Sequence, residues 1–418
     1  MSDYSTRTCC VIDNGLFAEV AVTLAKSFGR VYYYVPWENA YPKSTQLMMG
    51  QGLEGVEKVD SFWDIIDKID LFVFPDIYYG SLQVYLEKQG KRVWGSRMGE
   101  ELELFREFSK ETLKDAGIDV GPYKVITGID ALREYLQKHD NQYVKISRTR
   151  GDFETFKSES YDLSEPKLDE IEQKLGARKT VTEFIVEETI DNAVEIGYDG
   201  FTIDGQFPPH AMSGVEIKDK GYIGHFKAYN EMAAPILEVN DKLAAILQRY
   251  KYRNFWAAEA RVTKDGTPWV IDPCARFGSP PSELLLNVYT NLADIMWHGA
   301  SGEVVDPEPA GEWGAEVMIV SSWANLNWQA IDFPKEIRDA VKLHFPVVID
   351  GRYYITPQGF DLPCVGAVVA FGDTMEQTIK RVQNLASKVR GYYLDIPVDC
   401  FDTGIEEIKK LKKFGFDL

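Results

Sequence analysis

Three chemically able side chains stand at alternate positions in the stretch VIDPCARFG: Asp272, Cys274 and Arg276. In an extended chain that spacing turns all three to one face. Lys264-Asp265-Gly266-Thr267, set between two apolar runs, is a hairpin turn signal, which puts Glu259 on the facing strand, close to Asp272. Adjacent carboxylates repel unless a cation joins them, and Mg²⁺ takes carboxylate oxygens together with the phosphates of a nucleotide. Arg276 would add a fixed two-pronged donor for phosphate or carboxylate. The same residues admit a plainer reading, in which Glu259 and Arg276 form a salt bridge and Asp272 opens a turn before Pro273. The hairpin alone does not decide between them.

Two lysines lie upstream. Lys110 follows Ser109, read as the cap of a helix KETLKDAG that stops at Gly117, and Lys145 sits inside the apolar strand QYVKIS. An ammonium without a partner is expensive to bury, so an anion must face Lys145. Next, TEFIVEE runs from an apolar strand into a linker whose backbone could meet an adenine edge, and Glu195 opens the following strand where it could hold ribose hydroxyls. Each also has a bland reading, since a lysine can stretch its amine to solvent and a glutamate can lie on a solvated face.

The elements that must carry these residues are legible in the pattern. The first hundred residues alternate short apolar runs (CCVID, RVYYYVP, IDLFVFPD, KRVWG) with helical segments, the rhythm of a parallel βαβ sheet buried on both faces. Ligands approach such sheets at the strand C-terminal ends, here Asp13-Asn14-Gly15, Pro36-Trp37-Glu38-Asn39 and Pro75-Asp76-Ile77-Tyr78-Tyr79-Gly80. A compact α+β unit follows, with the strands YKVIT and QYVKIS, a helix starting after Asp130 and another capped by Ser164 and closed by Gly176. Beyond it come a long antiparallel region and, after Asp306-Pro307-Glu308-Pro309, a smaller C-terminal α+β domain. The expected division is 1–108, 109–180, 181–310 and 311–418.

Composition narrows the function classes. A formal net charge of −19, with 46 Lys and Arg against 65 Asp and Glu, argues against direct nucleic-acid binding or attachment to an anionic membrane. Five cysteines without metal-type spacing fit free thiols in a reducing, cytoplasmic setting. No apolar run approaches the length needed to span a bilayer. The five histidines, His139, His210, His225, His298 and His344, show no ligand spacing and read as core or surface residues.

The order of these features resembles the ATP-grasp superfamily, most closely the glycinamide ribonucleotide synthetases, and the resemblance runs nearly end to end. FSKETLKDAGI is similar to the family's lysine-bearing helix, CARFGSPPSE to its N-A-R-F-G-D-P-E-T segment, and GAVVAFGDTMEQTIKRV with GYYLDI to its C-terminal domain. The resemblance implies a pre-ATP-grasp βαβ domain, an ATP-grasp fold and a small α+β domain. It also implies an ATP-dependent carboxylate–amine ligase working through an acyl phosphate, with ATP and Mg²⁺ (or Mn²⁺) as cofactors. Carried over by position, Lys110, Lys145 and Arg148 would contact phosphates, Glu183, Phe184 and Val186 would lie at the adenine hinge, and Glu195 would bind ribose. Glu259, Asp272 and Cys274 would stand at the metal, and Arg276 would stabilise the transferring phosphate. Asp13, Asn14, Gly15, Asp76, His210 and Lys227 would lie on the substrate side. Small-molecule acid and amine substrates and a monomer or homodimer are expected.

The departures are informative. Cys274, a soft ligand, stands where the family has asparagine. The Gly-rich lid is replaced by Arg148 to Lys157, with two arginines, a lysine and one glycine. The family's Gly-x-Gly-Gly turn is Asp13-Asn14-Gly15-Leu16, and its Gly-Pro-Glu is Phe74-Pro75-Asp76. These changes point to an altered substrate, such as an amino acid joined to a nucleotide or sugar-phosphate amine. The alternative is a nucleotide-binding or scaffold protein that has lost catalysis. A dinucleotide enzyme is disfavoured, because no G-x-G-x-x-G follows the first strand.

Overall fold

The computed structural model describes residues 3–36, 47–148, 155–357 and 364–418. Trp37, Glu38 and Asn39 at the second strand end, and residues 149–154 of the expected lid, lie outside the described residues. The chain forms two compact units: a larger one from Met1–Glu100, Ile196–Ala258 and Cys274–Leu418, and a smaller one from Glu101–Glu195 and Glu259–Pro273.

In the larger unit the expected parallel sheet is present. Its strands are β1 (Tyr4–Ile12), β2 (Phe28–Tyr34), β3 (Val56–Lys58), β4 (Leu71–Val73) and β5 (Arg92–Trp94), in the order β3-β2-β1-β4-β5. β1 pairs in parallel with both β2 and β4. Cys10, Ile12, Tyr32, Phe72 and Val93 make one buried face of it, which explains their unbroken apolar runs.

The smaller unit is built on four antiparallel strands, β6 (Tyr123–Thr127), β7 (Gln142–Ile146), β8 (Thr155–Ser158) and β9 (Glu183–Glu188), in the order β6-β9-β7-β8. Helices Ile129–Leu136 and Tyr161–Leu175 cover one face, where Leu132, Leu136, Leu168 and Ile171 meet Val144, Ile146, Phe184 and Val186. Alternation along β7 and β9 sends the neighbouring residues Lys145, Ile185 and Glu187 to the opposite face. Two expected helix starts are corrected. Ser109 is buried inside the helix Arg106–Asp115, its N–H already bonded to the Phe105 carbonyl, and Ser164 lies within Tyr161–Leu175 with its hydroxyl on Ser158. Neither hydroxyl caps a free backbone N–H. The stops at Gly117 and Gly176 stand, both at positive φ, the conformation that favours glycine.

The remaining strands are β10 (Ala193–Ile203), β11 (His210–Ile217), β12 (Gly221–Ala228), β13 (Arg253–Thr263), β14 (Pro268–Cys274), β15 (Trp313–Val320), β16 (Gln329–Ile331), β17 (Val341–Leu343), β18 (Pro346–Ile349), β19 (Arg352–Ile355) and β20 (Cys364–Gly372). In the larger unit, Arg253–Ala258 and Ile196–Ile203 lead an order that continues β11-β12-β15-β20-β17. In the smaller unit, Glu259–Thr263 and Pro268–Pro273 are the arms of the expected hairpin. It is closed by Thr263 N–H donating to the Thr267 carbonyl at 3.2 Å, with Gly266 at φ +88°. Among the described residues no helix is long and apolar enough to cross a membrane.

Leu168 is fully buried in the smaller unit's core. Leu168→Ala is expected to destabilise that unit by about 2–5 kcal/mol, read as a fall in the denaturant midpoint of its unfolding transition.

Candidate functional site

The polar face of the small sheet carries a closed set of charges. Lys145 on β7 pairs across strands with Ile185, so Glu187, two residues further along β9, is its diagonal neighbour on the same face. The Lys145 ammonium lies 3.0 Å from Glu187 and 3.5 Å from Asp272, and donates to the Ile271 carbonyl at 2.8 Å. Lys110 forms an ion pair with the other oxygen of Glu187. Arg106, one helical turn before Lys110, donates from Nη1 to Asp272 at 3.0 Å and from Nε to the Ile146 carbonyl at 3.4 Å. Helix Arg106–Asp115, strands β7 and β9, and the second hairpin arm each supply part of the set. The anion that Lys145 demanded is therefore twofold, Glu187 and Asp272.

The charges shape one another. Burial would raise the Glu187 carboxyl, but Lys145 and Lys110 outweigh it and hold the group below its ordinary value. Asp272 is held well below the carboxylate range: burial pushes it up, and Lys145, Arg106 and Lys110 more than reverse that. The two ammonium groups part company. Burial lowers Lys110 despite Glu187, whereas for Lys145 Asp272 and Glu187 overcome burial and raise it. The buried Glu103 lines the same cluster, so its three cations face three carboxylates. The space among Leu102, Arg106, Lys110, Lys145, Glu187 and Asp272 is about 10 Å³, room for about one water molecule. An anion entering here must replace a carboxylate as the partner of the cations. Asp272, with a third of its side chain exposed, is the carboxylate open to exchange.

The other expected site residues are placed as follows. Glu183 accepts from the Ser147 hydroxyl at 2.7 Å. Phe184 and Val186 point into the core, and β9 is paired on both edges, by β6 and β7. The adenine-hinge role expected of these three thus finds neither a free side chain nor a free backbone edge within the strand. Glu195 meets Arg261 at 3.6 Å, and Arg148 is exposed with its guanidinium over the Phe105 ring. Glu259 is half-buried on β13. In the larger unit, the Cys274 thiol faces the Arg276 carbonyl at 3.7 Å and Arg276 donates to the Phe277 carbonyl at 2.8 Å. Among the described residues no group of three or more His, Cys, Asp or Glu side chains is disposed to hold a metal ion.

Also in the larger unit, Asp13 is fully buried. One of its oxygens accepts from the N–H groups of Gly15 and Phe17 and from the Tyr33 hydroxyl, at 3.0, 2.9 and 2.9 Å. Burial, with Asp76 adding to it, pushes its carboxyl up to about 6. Asp76 is equally buried and accepts from the Ile77 N–H. Gly15 has φ +110° and no room for a side chain beside Phe345 and Met49. Asn14 is half-buried, so of this turn it is the residue open to a ligand. His210 pairs with Asp306 at 2.9 Å, and Lys227 donates to the Asp417 carbonyl at 3.1 Å.

Sequence reasoning missed Arg106 and Glu187. The i to i+4 spacing of Arg106 and Lys110 on one helix face was a usable signal, and so was the alternation of Phe184 and Val186 against Ile185 and Glu187.

No protein-family model matches the chain. Solved structures match it over almost its whole length. The phosphoribosylamine–glycine ligase of Thermotoga maritima superposes with a TM-score of 0.69 at 18% identity, covering 93% of this chain and 98% of its own. The L-amino acid ligase of Bacillus licheniformis gives 0.60 at 14%, covering 93% and 99%. The N5-carboxyaminoimidazole synthetase of Staphylococcus aureus, complexed with ADP, gives 0.60 at 12%, covering 90% and 96%. The chain has the fold of these structures, and the resemblance to glycinamide ribonucleotide synthetase seen in the sequence is supported.

Glu187→Gln removes the carboxylate that both buried ammonium groups share and is expected to cost about 3–5 kcal/mol. The pH dependence has a definite sign. Glu187 and Asp272 have depressed folded-state values, so their stabilisation is complete above the unfolded carboxylate range near pH 4 and is lost as pH falls below it. Thermal unfolding of the smaller unit between pH 7 and 2 should show that loss, with a shallower slope in Glu187→Gln.

Proposed function

We propose that the chain is an ATP-dependent ligase that joins a carboxylate to an amine. The observation carrying this reading is the convergence of Arg106, Lys110 and Lys145 on Glu187 and Asp272 within a fold matched by carboxylate-handling and ADP-bound enzymes. Three cations held ready in one cluster offer phosphate oxygens charged donors, and Asp272, the more exposed carboxylate, is the one that gives up its place to them.

In this reading Lys110 and Lys145 hold the phosphates of ATP, with Arg148 and the loop after it adding charge. The adenine edge is met by the backbone of 189–192, beyond the fully paired strand. Glu195 takes the ribose, exchanging Arg261 for hydroxyls. Asp272 and Glu259 offer the hard oxygen donors that Mg²⁺ prefers, whereas the Cys274 thiol suits it poorly. The ion, carried in with the nucleotide, would neutralise charge that develops on the transferring phosphoryl group. A substrate carboxylate oxygen attacks the γ-phosphorus and ADP leaves. The amine then attacks the acyl carbon, forming the amide and releasing phosphate. Arg276 stabilises the phosphoryl oxygens in both steps.

The acid and amine differ from glycine and phosphoribosylamine. The Gly15 N–H of the Asp13-Asn14-Gly15 turn and the Phe17 N–H just beyond it are engaged by the Asp13 carboxylate, which leaves these two donors unavailable to a substrate phosphate. Asn14, Asp76, His210 and Lys227 are the groups assigned to the acceptor, an amino acid paired with a nucleotide or sugar-phosphate amine being the favoured combination. The protein would act in the cytoplasm as a monomer or homodimer.

ADP release should require both a carboxylic acid and an amine, and should fall about 100-fold or more in Arg276→Ala and Glu259→Ala. Full turnover in both variants sinks the assignment. Mg²⁺-dependent ATP binding in calorimetry with no turnover across amino acids paired with sugar-phosphate and nucleotide amines would instead identify a nucleotide-binding chain without catalysis.

A further inference from the structure

Only one oxygen of the buried Asp13 carboxylate is matched. Oδ2 accepts from the Gly15 and Phe17 N–H groups and from the Tyr33 hydroxyl, while Oδ1 is shut from water and has no hydrogen-bond partner among the described residues. A buried acceptor without a donor is costly to keep. β1 and β4 run in parallel with Val11 opposite Val73, so two residues further along each strand Asp13 comes level with Pro75 and stands beside Asp76, which is also fully buried.

The side chains that act on the Asp13 carboxyl from other elements are Asp76, after β4, and Tyr33, on β2, and neither is a cation. At the end of the Asp76 loop a third buried acid, Glu100, accepts from the Tyr79 N–H at 3.1 Å. Like charges drawn together out of water oppose one another, and an incoming cation relieves them. The segment that bears Arg276 borders the same loop. The Phe277 N–H donates to the Pro75 carbonyl at 2.9 Å, and the Phe277 ring packs edge-on against Phe17 with centroids 5.7 Å apart. Arg276 is thereby held next to the strand ends that carry Asp13 and Asp76.

We propose, resting on the ligase reading, that Asp13 and Asp76 form the subsite for the acceptor nitrogen, that this subsite takes a basic amine as its ammonium ion, and that Asp13 Oδ1 removes the proton. The ammonium enters past Asn14, the half-buried residue of the turn, and gives Oδ1 the donor it lacks. One proton passes from nitrogen to Oδ1, and the freed lone pair attacks the acyl carbon. A C–N bond forms as the C–O bond to phosphate breaks, and a second proton leaves the nitrogen with the phosphate. Burial and Asp76 push the Asp13 carboxyl up to about 6, which makes it a stronger base than an ordinary aspartate while leaving it ionised near neutral pH. An amine that is already neutral gains little from such a subsite.

The test compares the full chain with Asp13→Asn, whose amide oxygen still accepts the three hydrogen bonds made by Oδ2. Each is given ATP, Mg²⁺ and an amino-acid mixture as the acid. Parallel reactions add either glucosamine phosphate, a basic amine, or hydroxylamine, which is unprotonated near neutral pH, and mass spectrometry counts amide and hydroxamate products. The amide-to-hydroxamate ratio is expected to fall about 100-fold in Asp13→Asn. An unchanged ratio, with both products kept or both lost alike, overturns the proposal, as does hydroxamate without amide in the unmutated protein. Should Asp13→Asn not fold, Asp76→Asn takes its place, with a smaller fall in the same ratio. If the unmutated protein forms neither product, the ligase reading is what fails, and melting of the larger unit decides the subsite. Methylammonium chloride should then raise the midpoint above that in sodium chloride of equal ionic strength in the unmutated protein and not in the variant; an equal effect on both overturns it.

Discussion

Burying the Lys145 ammonium is the constraint around which the smaller unit is arranged. A lone ammonium in that position would be intolerable, and two carboxylates from different parts of the chain answer it. Glu187 comes from the adjacent strand and Asp272 from the hairpin. Each of those carboxylates then needs more positive charge than one lysine gives, and Lys110 and Arg106 supply it from a single helix. One residue's desolvation thereby fixes where β9, the helix Arg106–Asp115 and the hairpin arm must meet. The opposite face of β7 and β9 packs an apolar cluster of Val144, Ile146, Phe184 and Val186 against the two helices, so a slip of one residue in either strand would bury the wrong side chains.

Such a network is a weak source of net stability but a strong source of specificity, because each group is tolerable only while all its partners are present. It also holds the cations straight and ready. A ligand that brings its own negative charge meets groups already oriented, and the reorganisation left to it is the exchange of one oxygen for another. The turn after β1 shows the opposite use of charge. There the Asp13 carboxylate takes up the backbone donors itself, so a position that could have received an anion is already satisfied from within the chain.

Much of this was legible in the sequence, and the limits are physical. Continuous apolar runs identified the parallel sheet because strands covered on both faces have little choice of residue. The Asp265-Gly266 turn identified the hairpin because few residues adopt Gly266's backbone conformation. Lys145 announced itself by being charged inside an apolar strand. Its partners stayed hidden, since a glutamate at the end of TEFIVEE looks the same whether it points to solvent or to a lysine on a neighbouring strand. Ser109 and Ser164 misled for a related reason: a serine before a helical run resembles a cap, and whether its hydroxyl meets a backbone N–H depends on where the helix actually begins. The pairing of His344 with Glu283 was equally invisible, because the helix Ser282–Val288 and the residue after β17 meet only in the fold and not through spacing along the chain.

The smaller unit is assembled from two stretches of chain, Glu101–Glu195 and Glu259–Pro273. During synthesis the first stretch emerges well before the second, so Lys145 and Arg106 must wait for Asp272 while more than sixty residues of the other unit are translated. At ribosomal elongation rates that interval is on the order of several seconds, long against the collapse of a sheet and two helices. The early sheet is therefore held in the meantime by Glu187 alone on its charged face, and the hairpin's arrival is the event that locks it.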